Sequence, residues 1–440
     1  MANSYLTRNI SSAGSSQKGT LSMWVKRSEA PASGSNAYPR IYQNEYSNSN
    51  FFEVFFRNGG ELQVDNYASD TTILQLRTNR KFRDFSAWYH ILISIDTTQS
   101  TAADRCKIYI NGTQETSLAI ATYPSQNTNL LLTNSGYQQH IGYSGYSSEQ
   151  YFGGYISHAA YVDGTALAPT SFGQTDSTSG IWKFKAPSGI TWGTNGFHLK
   201  FENSGALGTD SSGNTNTFTV NGNLKQSLST PSNVYCAWNP LYPAGMTFAN
   251  GNTKLTQGSA WKSMGGTLAV SSGKWYWEIK NSGNYAYLGF ADIQLFNEGC
   301  YARESFTTGA ATTATAYSML SSSGSLNSVA TSGSQNEKTY NGASYGNDII
   351  GIALNLDDNE ATWYKNGTAL NSGTPLSIDA GTYTPAASLH GNNCEANFGN
   401  GYFGTTAITS AGSNGNGSLF EYDVPSGYYA LNTKNINTYG

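Results

Sequence analysis

Charge is what this chain has least of. Of its 440 residues only 12% are Asp, Glu, Lys or Arg, about half the share usual in a soluble domain. Lys and Arg total 24 against 28 for Asp and Glu, a net charge of −4. A nucleic-acid binder needs a basic excess, and none is present, so that class is set aside. Ala, Glu, Lys, Leu and Arg are too scarce for a coiled coil or a helical bundle. No window approaches the roughly 18 consecutive apolar residues of a membrane span. Met1–Gly19 (MANSYLTRNISSAGSSQKG) holds no apolar run; the expectation is no secretory signal, and a chain kept in a cytoplasm until release. Cysteine is nearly absent. Cys106, Cys236, Cys300 and Cys394 lie far apart with no C-x-x-C pair, which argues against a zinc knuckle or a disulfide framework and predicts buried thiols. Proline is only 11 residues, so strands are rarely interrupted.

What is present is turn-forming and aromatic. Gly numbers 48, Tyr alone 30, and aromatics make up 13% within a 38% hydrophobic share. That share is enough to bury a core and excludes disorder of the whole chain. At about 150 residues per domain the length allows two or three domains. The composition predicts an all-β protein with many turns.

Alternation supports this. Ile91, Ile93 and Ile95 fall on one face of a strand, and Cys106, Ile108 and Ile110 repeat the pattern; period-2 spacing of β-branched residues is the strand signal. The second run ends in Asn111-Gly112, the strongest short hairpin signal, because both turn residues must accept positive φ. Further strands are predicted at Phe51–Phe56, Gly154–Val162 and Gly196–Glu202, followed by a loop over Leu207–Asn223. Trp275, Trp277 and Ile279 share a face, with Glu278 and Lys280 opposite, and Tyr285–Asp292 is read as the hairpin partner of that strand. Thr307–Ser334 reads as a long loop. Ile350, Ile352, Leu354 and Leu356 mark an apolar strand face, Asp357-Asp358-Asn359 a turn, and Ala361–Lys365 a returning strand closed by Asn366-Gly367. The two halves share a device: Lys107–Thr113 (KIYINGT) and Thr362–Thr368 (TWYKNGT) each carry an aromatic strand into an Asn-Gly turn. The organisation predicted is two tandem antiparallel β-sandwich, jelly-roll-like domains over 1–225 and 237–400, a linker at 226–236 (containing QSLSTPS), and a C-terminal strap over 401–440.

The first half resembles the concanavalin A-like lectin/glucanase superfamily in its laminin-G-like form. Trp88, Tyr89, His90 and Ile91, the KIYINGT hairpin and Gly153–Gly164 carry the resemblance. The second half resembles a SPRY domain through Gly273–Ile279 (GKWYWEI), Tyr287–Asp292 (YLGFAD), Ile349–Leu356 (IIGIALNL), Ala361–Gly367 (ATWYKNG) and Tyr383–Gly399 (YTPAASLHGNNCEANFG). The pairing, joined through TDSSGNTNTFTVNG, is similar to virion proteins of tailed bacteriophages. The opening SYLTRNISSAG and the ending Phe420–Pro425 fit that group too.

Catalysis finds no motif. Retaining glycosidases of the first superfamily place two carboxylates on one strand face, typically as E-x-D-x-x-E, and no such pattern occurs. Glu53 stands alone in FFEVFF, and Asp357, Asp358 and Glu360 cluster at a hairpin tip, where turn chemistry explains them. There is no G-x-S-x-G and no H-E-x-x-H. His90, His140, His158, His198 and His390 show no ligand spacing, and His90 and His158 fall inside strands as structural residues. No cofactor is expected. Asp210, Ser212 and Asn214 offer oxygens at the alternate spacing of a calcium loop, but without a second carboxylate or a bidentate Glu; a hydrogen-bonded Asx turn is the simpler reading. Tyr143, Tyr146 and Tyr151, with Tyr137, crowd a Gly/Ser-rich stretch, and Tyr285 and Tyr287 lie beside a second. Such rings serve as stacking anchors for a sugar or a protein, or as packing. Asn9, Asn111 and Asn366 match the glycosylation sequon, and turn chemistry accounts for the two Asn-Gly pairs.

The resemblance implies a non-enzymatic virion surface protein, synthesised in the host cytoplasm. Two versions stand: a tail-fibre or adhesin-type binder of host surface carbohydrate, or a capsid or tail decoration protein packing on other virion proteins. A homo-oligomer in the particle is expected in either case, with neither nucleic acid nor membrane as a partner.

Overall fold

The structure, a computed structural model, describes residues 4–28, 38–146, 150–241, 245–297, 315–330, 334–337 and 339–440. The chain divides into two compact units, Met1–Gln226 and Ser227–Gly440.

The first unit is a sandwich of two sheets. Its eight-stranded sheet runs, in spatial order, Leu118–Thr122, Thr71–Lys81, Glu61–Ala68, Asn50–Phe56, Arg40–Ser47, Gln138–Ile141, Tyr5–Asn9 and Thr219–Asn221. Its six-stranded sheet runs Phe197–Leu199, Gly154–Asp163, Lys18–Arg27, Tyr89–Asp96, Cys106–Ile110 and Thr113–Gln114. Neighbours within both sheets are antiparallel. The alternation in the sequence explains the layer between them. Ile91, Ile93, Ile95, Cys106, Ile108 and Ile110 meet Phe52, Val54, Phe56, Leu62 and Val64 in one buried core. Each such side chain contributes about 1.5–3 kcal/mol by leaving water. Asn111 (φ 48°) and Gly112 (φ 80°) form the predicted turn. The strand expected over Gly196–Glu202 is limited to Phe197–Leu199, and Phe201 has a left-handed φ of 60° that ends it. The predicted loop 207–223 supplies an edge strand, Thr219–Asn221, because Phe218 anchors it in the core.

The second unit repeats the plan. One sheet orders Thr247–Ala249, Lys254–Gln257, Asn392–Asn397, Lys274–Asn281, Ile349–Asn355, Glu360–Lys365 and Thr368–Ala369, with Leu376–Ser377 and Tyr429–Ala430 as side additions. The facing sheet orders Lys262–Gly265, Tyr383–Leu389, Ala286–Asp292, Ala316–Leu320, Leu326–Ala330 and Ser334–Glu337. Trp238, Trp275, Trp277, Phe290 and Trp363 are fully buried between them.

Three expectations are corrected here. Tyr285–Asp292 is not the hairpin partner of the tryptophan strand: Lys274–Asn281 pairs with Ile349–Asn355 and Asn392–Asn397, while Ala286–Asp292 lies in the facing sheet. Both strands are apolar on the inner face, so they meet through the core and not through hydrogen bonds. Within Thr307–Ser334 the described residues form the strands Ala316–Leu320 and Leu326–Ala330, paired antiparallel; residues 307–314 lie outside the described ones. The stretch 226–236 belongs to the second unit from Ser227 on, since Tyr235 and Cys236 are buried and the Cys236 amide donates to Leu431 O at 3.0 Å.

The strap over 401–440 packs on the outer face of the tryptophan sheet. Phe420, Val424 and Ala430 join Tyr235, Tyr276 and Ala353 in a separate apolar cluster. Glu278, expected on a polar face, is fully buried beneath it.

Candidate functional site

The outward face of the eight-stranded sheet gathers polar residues. Inward-pointing Phe52, Val54 and Phe56 leave Phe51, Glu53 and Phe55 on the other face. Register places Gln43 on one side of Glu53 and Asp65 on the other. Glu53 is therefore not alone: a second carboxyl is its direct cross-strand neighbour, a pairing that only the register reveals.

The two carboxyls have different surroundings. Arg40 grips Glu53 with both arms, Nε to Oε2 and Nη2 to Oε1, each at 3.0 Å. Gln43 Nε2 donates to Oε2 at 2.9 Å, and the Tyr146 hydroxyl donates to it at 3.0 Å. Tyr146 Oη also accepts from Arg40 Nη2 at 2.9 Å. Arg40 and Glu53 are both buried, and a paired, fully hydrogen-bonded geometry is what lets such charges stay there. Gln63 Nε2 donates to Asp65 Oδ2 at 2.7 Å, yet burial pushes the Asp65 carboxyl up to about 7. The two carboxyls thus sit side by side, and Tyr146 closes over Glu53. This arrangement pins the 143–146 segment to the sheet.

Tyr146 is consequently a packing residue, its ring 5.2 Å from Phe51. Tyr143 and Tyr151 do come together, and with them Tyr5. Ring centroids lie 4.4 Å apart for Tyr5–Tyr143, 4.7 Å for Tyr143–Tyr151 and 5.9 Å for Tyr5–Tyr151, so the three rings form a triangular cluster. All three are half-buried, and His140 sits 5.7 Å from Tyr143. Tyr5 was missed in the sequence because only the pairing of Tyr5–Asn9 with Gln138–Ile141 brings it there. Tyr137 stands apart from this cluster and packs against the exposed Tyr46 at 5.5 Å.

The second unit carries another aromatic cluster. Tyr285 is 58% exposed. Its ring is 5.8 Å from His390, which is 5.4 Å from Trp261, which is 5.3 Å from Tyr287. Backbone bonds brace the three segments: His390 N donates to Tyr285 O at 3.0 Å, and Gly391 N donates to Gly258 O. Ser282 Oγ donates to Asn393 O at 2.9 Å and to Asn392 Oδ1 at 3.0 Å. Tyr287 is buried under this group and packs with Ala291, Leu295 and Ala316. Tyr285, Trp261 and His390 therefore present the accessible rings, set among Asn, Ser and Gly. Rigid rings among adaptable amides and hydroxyls are the makeup of a recognition surface.

The remaining candidates are structural. Asp210 Oδ1 accepts from the His198 and Ser212 amides, and Oδ2 from Ser212 Oγ and the Asn216 amide, all at 2.8–2.9 Å. Asn214 Nδ2 donates to Gly193 O at 2.7 Å. The Asp210 and Ser212 oxygens weighed for calcium thus accept from nearby donors, the Asn214 amide giving to Ser212 Oγ at 3.2 Å. His90 Nδ1 accepts from Trp182 Nε1 at 3.0 Å, and its Nε2 meets Ser22 Oγ at 2.9 Å; burial lowers its pKa to about 3. His158 stacks on Phe184 at 3.6 Å and lies 5.7 Å from His198, itself stacked on Trp192. Burial lowers both to about 4. Cys106, Cys236 and Cys394 are buried, and Cys300 lies outside the described residues. Among the described residues no helix is long and apolar enough to cross a membrane.

Residues 2–171 match the family model of the concanavalin A-like lectin/glucanases superfamily, in its laminin-G form, and residues 274–401 match that of the SPRY domain. No curated protein matches the chain. Among solved structures, it is similar to the PSpry domain of TRIM65, with 16% identity, 37% of this chain and 91% of that one covered, and a TM-score of 0.28. The SPRY domain of human HERC1 gives 19%, 36%, 96% and 0.28 in the same terms. The heptameric SAP-like pentraxin of Limulus polyphemus gives 14%, 38%, 71% and 0.28. The chain is an all-β protein whose domain composition, concanavalin A-like then SPRY, fits a carbohydrate- or protein-binding role.

Proposed function

We propose that this is a non-enzymatic recognition protein on the surface of a tailed-bacteriophage virion, binding host surface carbohydrate in the manner of a tail-fibre or adhesin component. The observation that carries the binding part is the pair of accessible aromatic clusters, Tyr5–Tyr143–Tyr151 in the first unit and Tyr285–His390–Trp261 in the second. An aromatic ring offers a flat apolar face to a pyranose, and the Asn and Ser groups around Tyr285 supply hydrogen bonds to hydroxyls. A surface poor in charge suits an uncharged ligand and does not steer toward phosphate. The closure of Glu53 by Arg40, Gln43 and Tyr146 supports binding without turnover. No cofactor enters the proposal. The virion part rests on the resemblance of the domain pairing, and fold alone does not fix function.

Purified full-length protein on a glycan array, with adsorption to host cells, tests the reading. Binding that is lost in Tyr285→Ala or Tyr151→Ala supports it; a blank array and no adsorption overturn the carbohydrate part. Mass spectrometry of purified particles tests the virion part, which fails if the chain is absent. A second reading, a capsid or tail decoration protein whose work is packing on virion neighbours, is favoured by the charge-poor composition, 12% Asp, Glu, Lys and Arg, and predicts stoichiometric presence with no sugar binding.

A further inference from the structure

A β-sheet edge is a row of unpaired N–H and C=O groups, and proteins commonly shorten or charge it. Among the described residues, three of the four edges of this unit's two large sheets follow that rule: Thr113–Gln114 has two residues, and Phe197–Leu199 and Thr219–Asn221 three each; the strands of its small third sheet, Gly173–Thr175 and Trp182–Phe184, also have three. The fourth, Leu118–Thr122, has five. It pairs on one side with Thr71–Lys81, and among the described residues no strand pairs with its other side. Its sequence, LAIAT, has no charge and no proline, and no Asp, Glu, Lys or Arg occurs from Thr116 to Gln139.

The local geometry leaves this edge approachable. A register shift between Leu118 and Ile120 interrupts the ladder at one end, after which Ile120, Ala121 and Thr122 pair regularly with Arg77, Leu76 and Gln75. Ala119, Ala121 and Thr122 are exposed and Ile120 is half-buried. The nearest acidic side chain along the chain, Glu115, is held by Arg80 at 2.7 Å. Small side chains let a neighbouring backbone come to the ~4.8 Å spacing of paired strands.

The geometry points to a second copy of this chain as the occupant, added strand to strand at Leu118–Thr122 in antiparallel fashion to make one continuous sheet across a two-fold axis. Two identical strands paired antiparallel satisfy each other and close the assembly, so neither copy keeps a free edge there. Self-pairing brings no like charges together. Among the described residues the unit's other edge strands have two or three residues, so the same strand in a second copy is the match of equal length. The contact needs no sugar and stands independently of the carbohydrate reading.

Sedimentation velocity of the full-length chain, from micromolar to near-millimolar concentration, tests this. The wild type is expected to populate a dimer. Ala121→Lys and Thr122→Lys change exposed side chains, so the melting temperature should hold, while a lysine at the pairing edge weakens self-association by about tenfold or more. Ala119→Cys combined with Ala121→Cys should give a disulfide-linked dimer on mild oxidation, because pairing about Ile120 sets residue 119 of one copy opposite residue 121 of the other. A wild type that stays monomeric throughout overturns the proposal. So does a dimer that both lysine variants leave unchanged. Glycan binding, measured separately, reports only on the carbohydrate reading.

Discussion

The Glu278 carboxylate accepts the backbone amide of Tyr422 at 2.9 Å, across 144 positions of sequence. The same carboxylate takes the Glu421 amide at 2.9 Å, and Tyr276 Oη and Asn397 Nδ2 at 3.3 Å. A side chain on the strand face opposite the tryptophans thus anchors the returning C-terminal strap. Four donors surround it, and burial still pushes the carboxyl up to about 7.

Glu278→Gln should loosen that anchor. The amide NH₂ would face one of the two backbone donors and leave it unpaired, which costs about 1–3 kcal/mol in a buried setting. The expected outcome is a lower melting transition for the second unit and faster proteolytic cutting within 401–422. Calorimetry and mass spectrometry of the fragments measure both; an unchanged transition would show that the strap is held by Phe420 and Val424 alone.

The two units should respond to pH with opposite sign. Glu278 is raised in the folded state, so its contribution is complete below the unfolded value near 4.3 and is lost as pH rises through about 7. In the first unit His158 and His198 are lowered to about 4 and His90 to about 3. Their contribution is complete above about 6.5 and is lost on acidification toward those values. Asp65, raised to about 7, acts against them, but one carboxyl opposes three imidazoles, each worth up to about 1.4 kcal/mol per pH unit. Between pH 7 and 5, calorimetry should show the first unit's transition falling and the second's rising. Parallel movement of both would refute this.

Tyr285 and Tyr287 separate recognition from packing. Tyr285→Ala removes an exposed ring and should leave stability within about 0.5 kcal/mol while weakening glycan binding about tenfold, the equivalent of ~1.4 kcal/mol. Tyr287→Ala opens a cavity under Trp261 and should cost about 3 kcal/mol. Melting curves and binding isotherms on the same preparations distinguish them.

Gly173→Ala tests the seat of Trp182. A Cβ at Gly173 would lie 2.4 Å from the Trp182 ring, displacing the indole whose Nε1 donates to His90. Overpacking of this kind costs about 1–3 kcal/mol. A fall in the first unit's melting temperature with a shift in tryptophan emission is expected; retention of both would mean that the ring relocates freely.

Much of the fold was legible because it is local. Asn111-Gly112 and Asn366-Gly367 turn as their chemistry demands, with left-handed φ at all four residues, and Asp357-Asp358-Asn359 closes its hairpin with Asn359 at φ 52°. Period-2 patterns located the core strands. They could not tell a strand beside Lys274–Asn281 from one facing it, since both present the same apolar alternation to the core. Nor could they show Asp65 beside Glu53 or Tyr422 over Glu278, which depend on register and on distant segments. Of the five tyrosines singled out, Tyr287 is buried and the half-buried Tyr146 is tied to Arg40 and Glu53 because neighbours far along the chain supply their partners, and Tyr5 and Trp261 entered the clusters for the same reason.

Each unit is closed by its own ends. Tyr5–Asn9 pairs with Thr219–Asn221 in the first, and Tyr235 bridges Asn432 in the second. During translation neither can be completed piecemeal. The first sandwich lacks its marginal strand until Asn221 has emerged from the ribosome, and the second waits for Asn432. At about 5–20 residues per second, those moments are separated by roughly 10–40 s. From the moment Asn281 has emerged until that interval closes, a finished first unit is tethered to a nascent second one whose tryptophan strand is made and whose covering strap is not.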